Sequence, residues 1–328
     1  CVAPRTAIDV LQTGFPSHKL ASARLSGVER VLSERDNAAQ VTRLRPMLIV
    51  AAAAIAVTVP GQASTTRTGL IAFERNYSIY VVEPDGSGLR LLAKKGEQGP
   101  GEGDGLLVSP SFTPDGSHIT YRNGPRTTHQ DVIVRRTTGG PPKLYPVHGI
   151  LLNSPLSFSP DGRLAVVSRL GDPPPHSALF IASTARGNRE TQLTGIVPRR
   201  NTYHWSPDFS PDGRLILFTQ ESGNRPPRLM VLTRATKAVN ALVRGELADW
   251  SPDGTRIAFV RKDGIYACSS DGTNIQRLFA SRDPGPVDFS PDGRRLAFVA
   301  GGAVWVMSAD GGTPTKVAGQ ATGGLDWG

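Results

Sequence analysis

From residue 68 onward the chain is made of short runs in which apolar and polar residues alternate, the period-two pattern of strands that turn one face to a core. Leu164/Val166, Leu215/Leu217, Ile257/Phe259 and Leu296/Phe298 carry it clearly. Each run is preceded by a strand-sized segment ending in Phe or Trp and by the same kind of turn. The matching segments are PSFTPDGSHITYR from Pro110, LSFSPDGRLAVVS from Leu156, PDFSPDGRLILFT from Pro207, ADWSPDGTRIAFV from Ala248 and VDFSPDGRRLAFV from Val287. The turn chemistry is explicit. Proline presets φ at the first turn position, aspartate bonds nearby backbone amides, and glycine accepts the positive φ that closes the hairpin. A third strand follows in IYVVEPDG, IYACSSDG and VWVMSADG, and a second Asp-Gly turn leads to a fourth in LRLLA, IQRLFA and TKVAG.

Four strands per unit, with unit starts about 39 to 51 residues apart, predict an all-β fold: a six-bladed β-propeller of four-stranded antiparallel blades. Five blades are complete in the sequence. The sixth is split, because the chain ends GGLDWG, a first strand without its hairpin, while GLIAFERNYSIYVVEPDGSGLRLLA from Gly69 holds strands two to four without a first. Pairing the C-terminal strand with this first segment closes the ring and removes the exposed sheet edges. The repeat resembles that of TolB-like propellers, whose blades carry the same aromatic-Ser-Pro-Asp-Gly turn, over roughly four-fifths of the chain. The resemblance implies the architecture. TolB proteins also carry an α/β domain ahead of the propeller, which the stretch from Ser64 to Gly69 does not supply, so their Tol partners are not carried over.

Ahead of the repeats, residues 41–63 read as a signal peptide: Arg43 and Arg45, an apolar stretch from Met47 to Val59, then Gly61-Gln62-Ala63. The apolar stretch is shorter than the about 20 residues of a spanning helix, so no stable membrane span is expected after cleavage. Residues 64–328 are then the propeller, secreted or periplasmic. Residues 1–40 precede the export signal and are expected to lie outside the native protein or to be disordered, with translation starting at Val41.

Composition agrees: 36 Gly and 27 Pro suit a turn-rich β fold. The net charge of +9 comes without a basic run or an aromatic-interleaved basic stripe, so nucleic-acid binding is not expected. Cys268 occupies the strand position held by Val82 and Met307 in sister repeats and reads as a packed residue.

The motifs of known chemistries are missing. There is no G-x-S-x-G elbow, H-E-x-x-H, Cys-x-x-Cys or phosphate-binding glycine loop. No catalytic residue is assigned. The expected function is non-catalytic recognition of an extracytoplasmic protein or an anionic envelope polymer by a monomer. The alternative is a carbohydrate-active enzyme such as a polysaccharide lyase, with its site in the central channel; oligogalacturonate lyases resemble propellers with related repeats and use histidines there.

Candidate ligand contacts fall in connections leading into first strands: His148 and Asn153; Arg199, Arg200, Asn201, Tyr203 and His204; Arg282 and Asp283. Cations beside an aromatic and a histidine suit an anionic sugar or a peptide carboxylate. A second set shares one register, immediately before the first-strand aromatics: Asp208, Asp249, Asp288 and Asp326, with Ser111 and Ser157 in the remaining blades. Four carboxylates at equivalent inner positions have the oxygen chemistry to ligate Ca²⁺ in the channel, or each bonds a polar group of the adjacent blade. No other cofactor is expected.

Overall fold

The computed structural model describes residues 69–97, 106–124, 131–145, 154–170, 176–185, 190–195 and 202–328, all within the compact unit Gly61–Gly328. Residues 1–40, the expected signal peptide at 41–63, and the candidates His148, Asn153, Arg199, Arg200 and Asn201 lie outside the described residues.

The described strands form six four-stranded antiparallel sheets. Blade one holds Leu107–Phe112, His118–Asn123, Asp131–Arg136 and Lys143–Leu144; blade two holds Ser157–Phe158, Leu164–Leu170, Ser177–Ser183 and Glu190–Gln192. Blade three holds Thr202–Phe209, Leu215–Ser222, Arg228–Thr233 and Ala238–Arg244; blade four holds Glu246–Trp250, Arg256–Arg261, Gly264–Ser269 and Gln276–Ala280. Blade five holds Pro284–Phe289, Arg295–Ala300, Ala303–Ser308 and Thr315–Gly319. Blade six is the composite, in which Leu325–Trp327 pairs with Ile71–Arg75, followed by Ser78–Val82 and Arg90–Ala93. Its clasp is specific: Ile71 lies opposite Trp327 and Phe73 opposite Leu325, and Leu70 and Gly328 exchange two backbone hydrogen bonds of 2.8 and 3.1 Å. Among the described residues no helix is long and apolar enough to cross a membrane.

Second strands show period two in sequence, yet in blade four Ile257, Ala258, Phe259 and Val260 are all buried. The reason is that each sheet is packed on both faces. In blade three, Ile216 and Phe218 meet Val166 and Leu179 of blade two, while Leu217 joins Trp250, Ile257 and Phe259 of blade four. Each large side chain so buried contributes about 1.5–3 kcal/mol, so the interblade layers are the core.

The repeated turn has one construction. In blade two Ser159 Oγ donates to Asp161 Oδ1 at 2.6 Å and accepts the Leu164 N–H at 2.9 Å, while Arg163 N–H donates to Asp161 Oδ1 at 3.1 Å. The same bonds recur around Ser210 and Asp212, Ser251 and Asp253, and Ser290 and Asp292. The hydroxyl bond holds the carboxyls of Asp161, Asp212 and Asp253 below the usual range. These aspartates therefore serve the hairpins. The turn glycines sit at positive φ beside the preceding blade's turn proline: at Gly213, with φ 68°, a Cβ would lie 3.3 Å from Pro160 Cδ.

First strands also carry a bulge. The register shifts between Val108 and Ser111, Trp205 and Asp208, and Glu246 and Asp249. Within these breaks Ser109, Ser206 and Leu247 hold φ of 53°, 49° and 51°. A bulge re-aims the side chains that follow it, and here those are Ser111, Asp208 and Asp249.

Candidate functional site

The first strands enclose a channel cavity of 690 Å³. Its wall includes Ser111, Ser157, Asp208, Asp249, Asp288 and Asp326, the aromatics Phe112, Phe158, Trp250, Phe289 and Trp327, and turn residues Pro114, Pro160, Pro252 and Pro291. Glu74 and Trp205 also line it.

The six residues before the aromatics make one closed belt. Asp208 Oδ2 accepts the Trp250 N–H at 3.1 Å, Asp249 Oδ2 the Phe289 N–H at 2.8 Å, Asp288 Oδ2 the Trp327 N–H at 2.6 Å, and Asp326 Oδ2 the Phe112 N–H at 2.5 Å. Where serine replaces aspartate the link persists. Ser111 Oγ donates to Leu156 O at 2.6 Å; Ser157 Oγ accepts the Phe209 N–H at 2.9 Å and donates to Asp208 Oδ1 at 3.0 Å. Each blade is thus tied to the next by this side chain, and in blades one, three, four and five a register shift precedes it in the strand. Where the acceptor is ionised such a bond is worth about 1.5–3 kcal/mol, more than a neutral pair.

The carboxyls of Asp208, Asp249, Asp288 and Asp326 also interact with one another along the belt. Neighbouring buried carboxylates oppose full ionisation of the row. Burial pushes Asp208 and Asp326 up to about 6. Asp249 and Asp288 are raised well above the ordinary value, first by burial and then by the neighbouring carboxylates. The belt consequently favours shared protons. Among the described residues, no group of three or more His, Cys, Asp or Glu is placed to hold a metal ion.

The loop-face candidates separate. Arg282 and Asp283 are exposed on the connection into blade five, and Tyr203 is half-buried. His204 lies inside a first strand rather than in the connection ahead of it, and it is buried. Its ring packs edge-on against Phe218 with centroids 5.1 Å apart, and Nδ1 meets Thr194 Oγ1 at 2.9 Å. Its N–H donates to Ser177 Oγ at 2.7 Å, and its carbonyl accepts from the hydroxyls of Ser168 and Ser177. Burial lowers the imidazole to about 4. The sequence places His204 in the connection into a first strand, whereas the structure places it within the strand Thr202–Phe209, buried and joining blade three to blade two. Cys268 is likewise a core residue, with its thiol pushed up to about 11 by burial.

The aromatics beside the belt pack between blades. Phe209, Phe289 and Trp327 are buried, and arginines cover them: Arg234 over Phe209 at 5.5 Å, Arg256 over Phe289 at 5.5 Å, and Arg295 over Trp327 at 5.0 Å from the ring centroid. The bulges went unread in the sequence, although Pro110 and Pro207, two residues before an aromatic, were a usable signal, since proline inside a strand marks a bulge or an edge.

Comparison with known proteins agrees with this geometry. A family model described as PD40, TolB beta propeller domain, matches residues 65–321. The crystal structure of TolB from Acinetobacter baumannii superposes with a TM-score of 0.64 at 18% identity, covering 79% of this chain and 66% of that one. The structure of a putative TolB from Agrobacterium tumefaciens gives 0.57 at 20% identity, over 78% and 92% of the two chains. A crystal structure of a nidogen/laminin complex gives 0.62 at 11% identity, over 79% and 97%. At these identities the likeness is one of fold. With more than half its length matched by the family model and its belt and turns repeated blade by blade, the chain belongs to the TolB beta-propeller domain family.

Proposed function

We propose that this propeller is an extracytoplasmic, non-catalytic recognition module that binds a protein or an anionic envelope polymer on the face formed by the connections into its first strands. One observation carries the reading: the channel's four acids are already engaged by backbone N–H groups of neighbouring blades. His204, which a channel chemistry would have used, is buried and neutral. The Oδ2 atoms of these acids are used in joining the blades, and among the described residues lining the channel no histidine, lysine or arginine stands beside them. Exposed Arg282 and Asp283 instead offer charged contacts on a rigid ring. Export through residues 41–63 belongs to the same proposal.

The test is capture from an envelope extract by the immobilised propeller and by a variant combining Arg282→Glu with Asp283→Arg. A partner held by the native chain and released from the variant supports the reading. A partner held equally by both, or none held by either, rejects this face.

A further inference from the structure

Outside the channel, blade three carries an arrangement of charge that its own fold does not explain. Arg228 and Arg244 lie directly opposite each other on paired antiparallel strands. Like charges in that relation repel and destabilise the pairing. Arg225, on the preceding hairpin connection, joins them in lining a cavity of 400 Å³ with Gln220 and Ser222. The same three arginines, all exposed, also border a larger groove toward blade four. No ion pair neutralises any of the three among the described residues, whereas Arg135, Arg169, Arg256 and Arg277 each have a carboxylate partner. The connection itself is stiff. Pro226 and Pro227 follow Arg225, whose N–H donates to Ser222 O at 3.2 Å.

The geometry points to an oxyanion site formed by Arg225, Arg228 and Arg244, taking a phosphate group either free or carried on a polymer. Three planar forks present many N–H donors, and the tetrahedral dianion offers more acceptor positions and more charge than a single carboxylate. Gln220 and Ser222 add polar groups at the same cavity, Gln220 Nε2 donating to Ser222 Oγ at 3.4 Å. The carboxylates Glu221, Glu246 and Asp263 line the larger groove that the three arginines also border, but not this cavity, and burial raises Glu246 toward its neutral form, with the Glu221 charge adding to it. An anion bound between Arg228 and Arg244 converts their repulsion into two attractions. The site uses the outer strands of blade three and stands independently of the recognition face proposed above.

The test measures binding of inorganic phosphate by calorimetry and thermal shift, against chloride at matched ionic strength, for the native chain, Arg228→Gln and Arg244→Gln. The expected result is saturable phosphate binding that each substitution weakens about tenfold, together with variants that melt no lower than the native chain in chloride, because the repulsion is relieved. A purely structural role for these arginines would lower the melting point in chloride instead. Phosphate acting no differently from chloride, or variants that keep the native response, overturns the assignment. A parallel arm with poly(glycerol phosphate) identifies the source: tighter binding than inorganic phosphate assigns the site to a polymer, weaker binding to the free ion.

Discussion

Replacing Asp326 with asparagine separates the two things the belt residue does. The amide oxygen keeps the acceptor for the Phe112 N–H, now met at 2.5 Å, and the amide nitrogen supplies a donor to Asp288 that the carboxyl provides only when protonated. What disappears is the charge. A carboxyl that titrates at about 6 in the folded chain and at 3.8 when exposed in the unfolded chain costs the folded state on the order of 3 kcal/mol once ionised. The direction follows from proton binding: between these values the folded chain holds the proton and the unfolded chain has lost it. The contribution of this group to stability is therefore greatest at low pH and is lost as pH rises through about 6. Asp326→Asn is expected to exceed the native stability at pH 8 by about 1–3 kcal/mol, or about 2–10 °C in melting temperature for a domain of this size, and to converge with it below about pH 4. Asp326→Ala, which also removes the acceptor, is expected to be about 1–3 kcal/mol less stable than Asp326→Asn at both pH values. His204 titrates with the opposite sign, its lowered value costing stability as pH falls from 6.5 toward about 4, but this cancels in the difference between variant and native chain. The assay is urea denaturation at the two pH values. An asparagine variant less stable than native at pH 8 would refute the reasoning. If chelation then removed the native advantage, a bound cation such as Ca²⁺ would be neutralising the ring in place of shared protons.

Other outcomes follow from the ring itself. Gly213→Ala places a Cβ at φ 68° and 3.3 Å from Pro160 Cδ, and is expected to cost about 1–2 kcal/mol in denaturant titration. Deleting residues 325–328 removes the strand that pairs with Ile71–Phe73 and bares a sheet edge, so size-exclusion chromatography is expected to show aggregation where the native chain elutes as one species. Cys268, with its thiol at about 11, is expected to react with a disulfide reagent only after unfolding; rapid reaction of the folded chain would show that the strand opens.

The fold was legible because its signals are local and repeated. Pro-Asp-Gly turns, a terminal aromatic and a following alternating run specify a hairpin without reference to the rest of the chain, and LDWG at one end matched IAFER at the other. The belt was half legible. The common register of Asp208, Asp249, Asp288 and Asp326 placed them together, but what each touches depends on bulges at Ser206 and Leu247, whose positive φ no propensity announces for serine or leucine. His204 was placed in a connection for a related reason, since a polar residue next to a strand start looks like a loop residue until its partners from blade two are in place. Arg228 and Arg244 left no sequence trace as a pair, because they are 16 positions apart and meet only through a register shifted by a bulge.

The proposed function is recognition without turnover, with the channel acids belonging to the ring. Calorimetry of the native chain against oligogalacturonate and peptidoglycan fragments, with the mixture analysed for cleaved product at the end, tests it. No fragment is expected to be cleaved, whether or not heat of binding is seen. Product that accumulates with the native chain and vanishes with Asp249→Asn, while that variant stays folded, would contradict it and place catalysis in the channel.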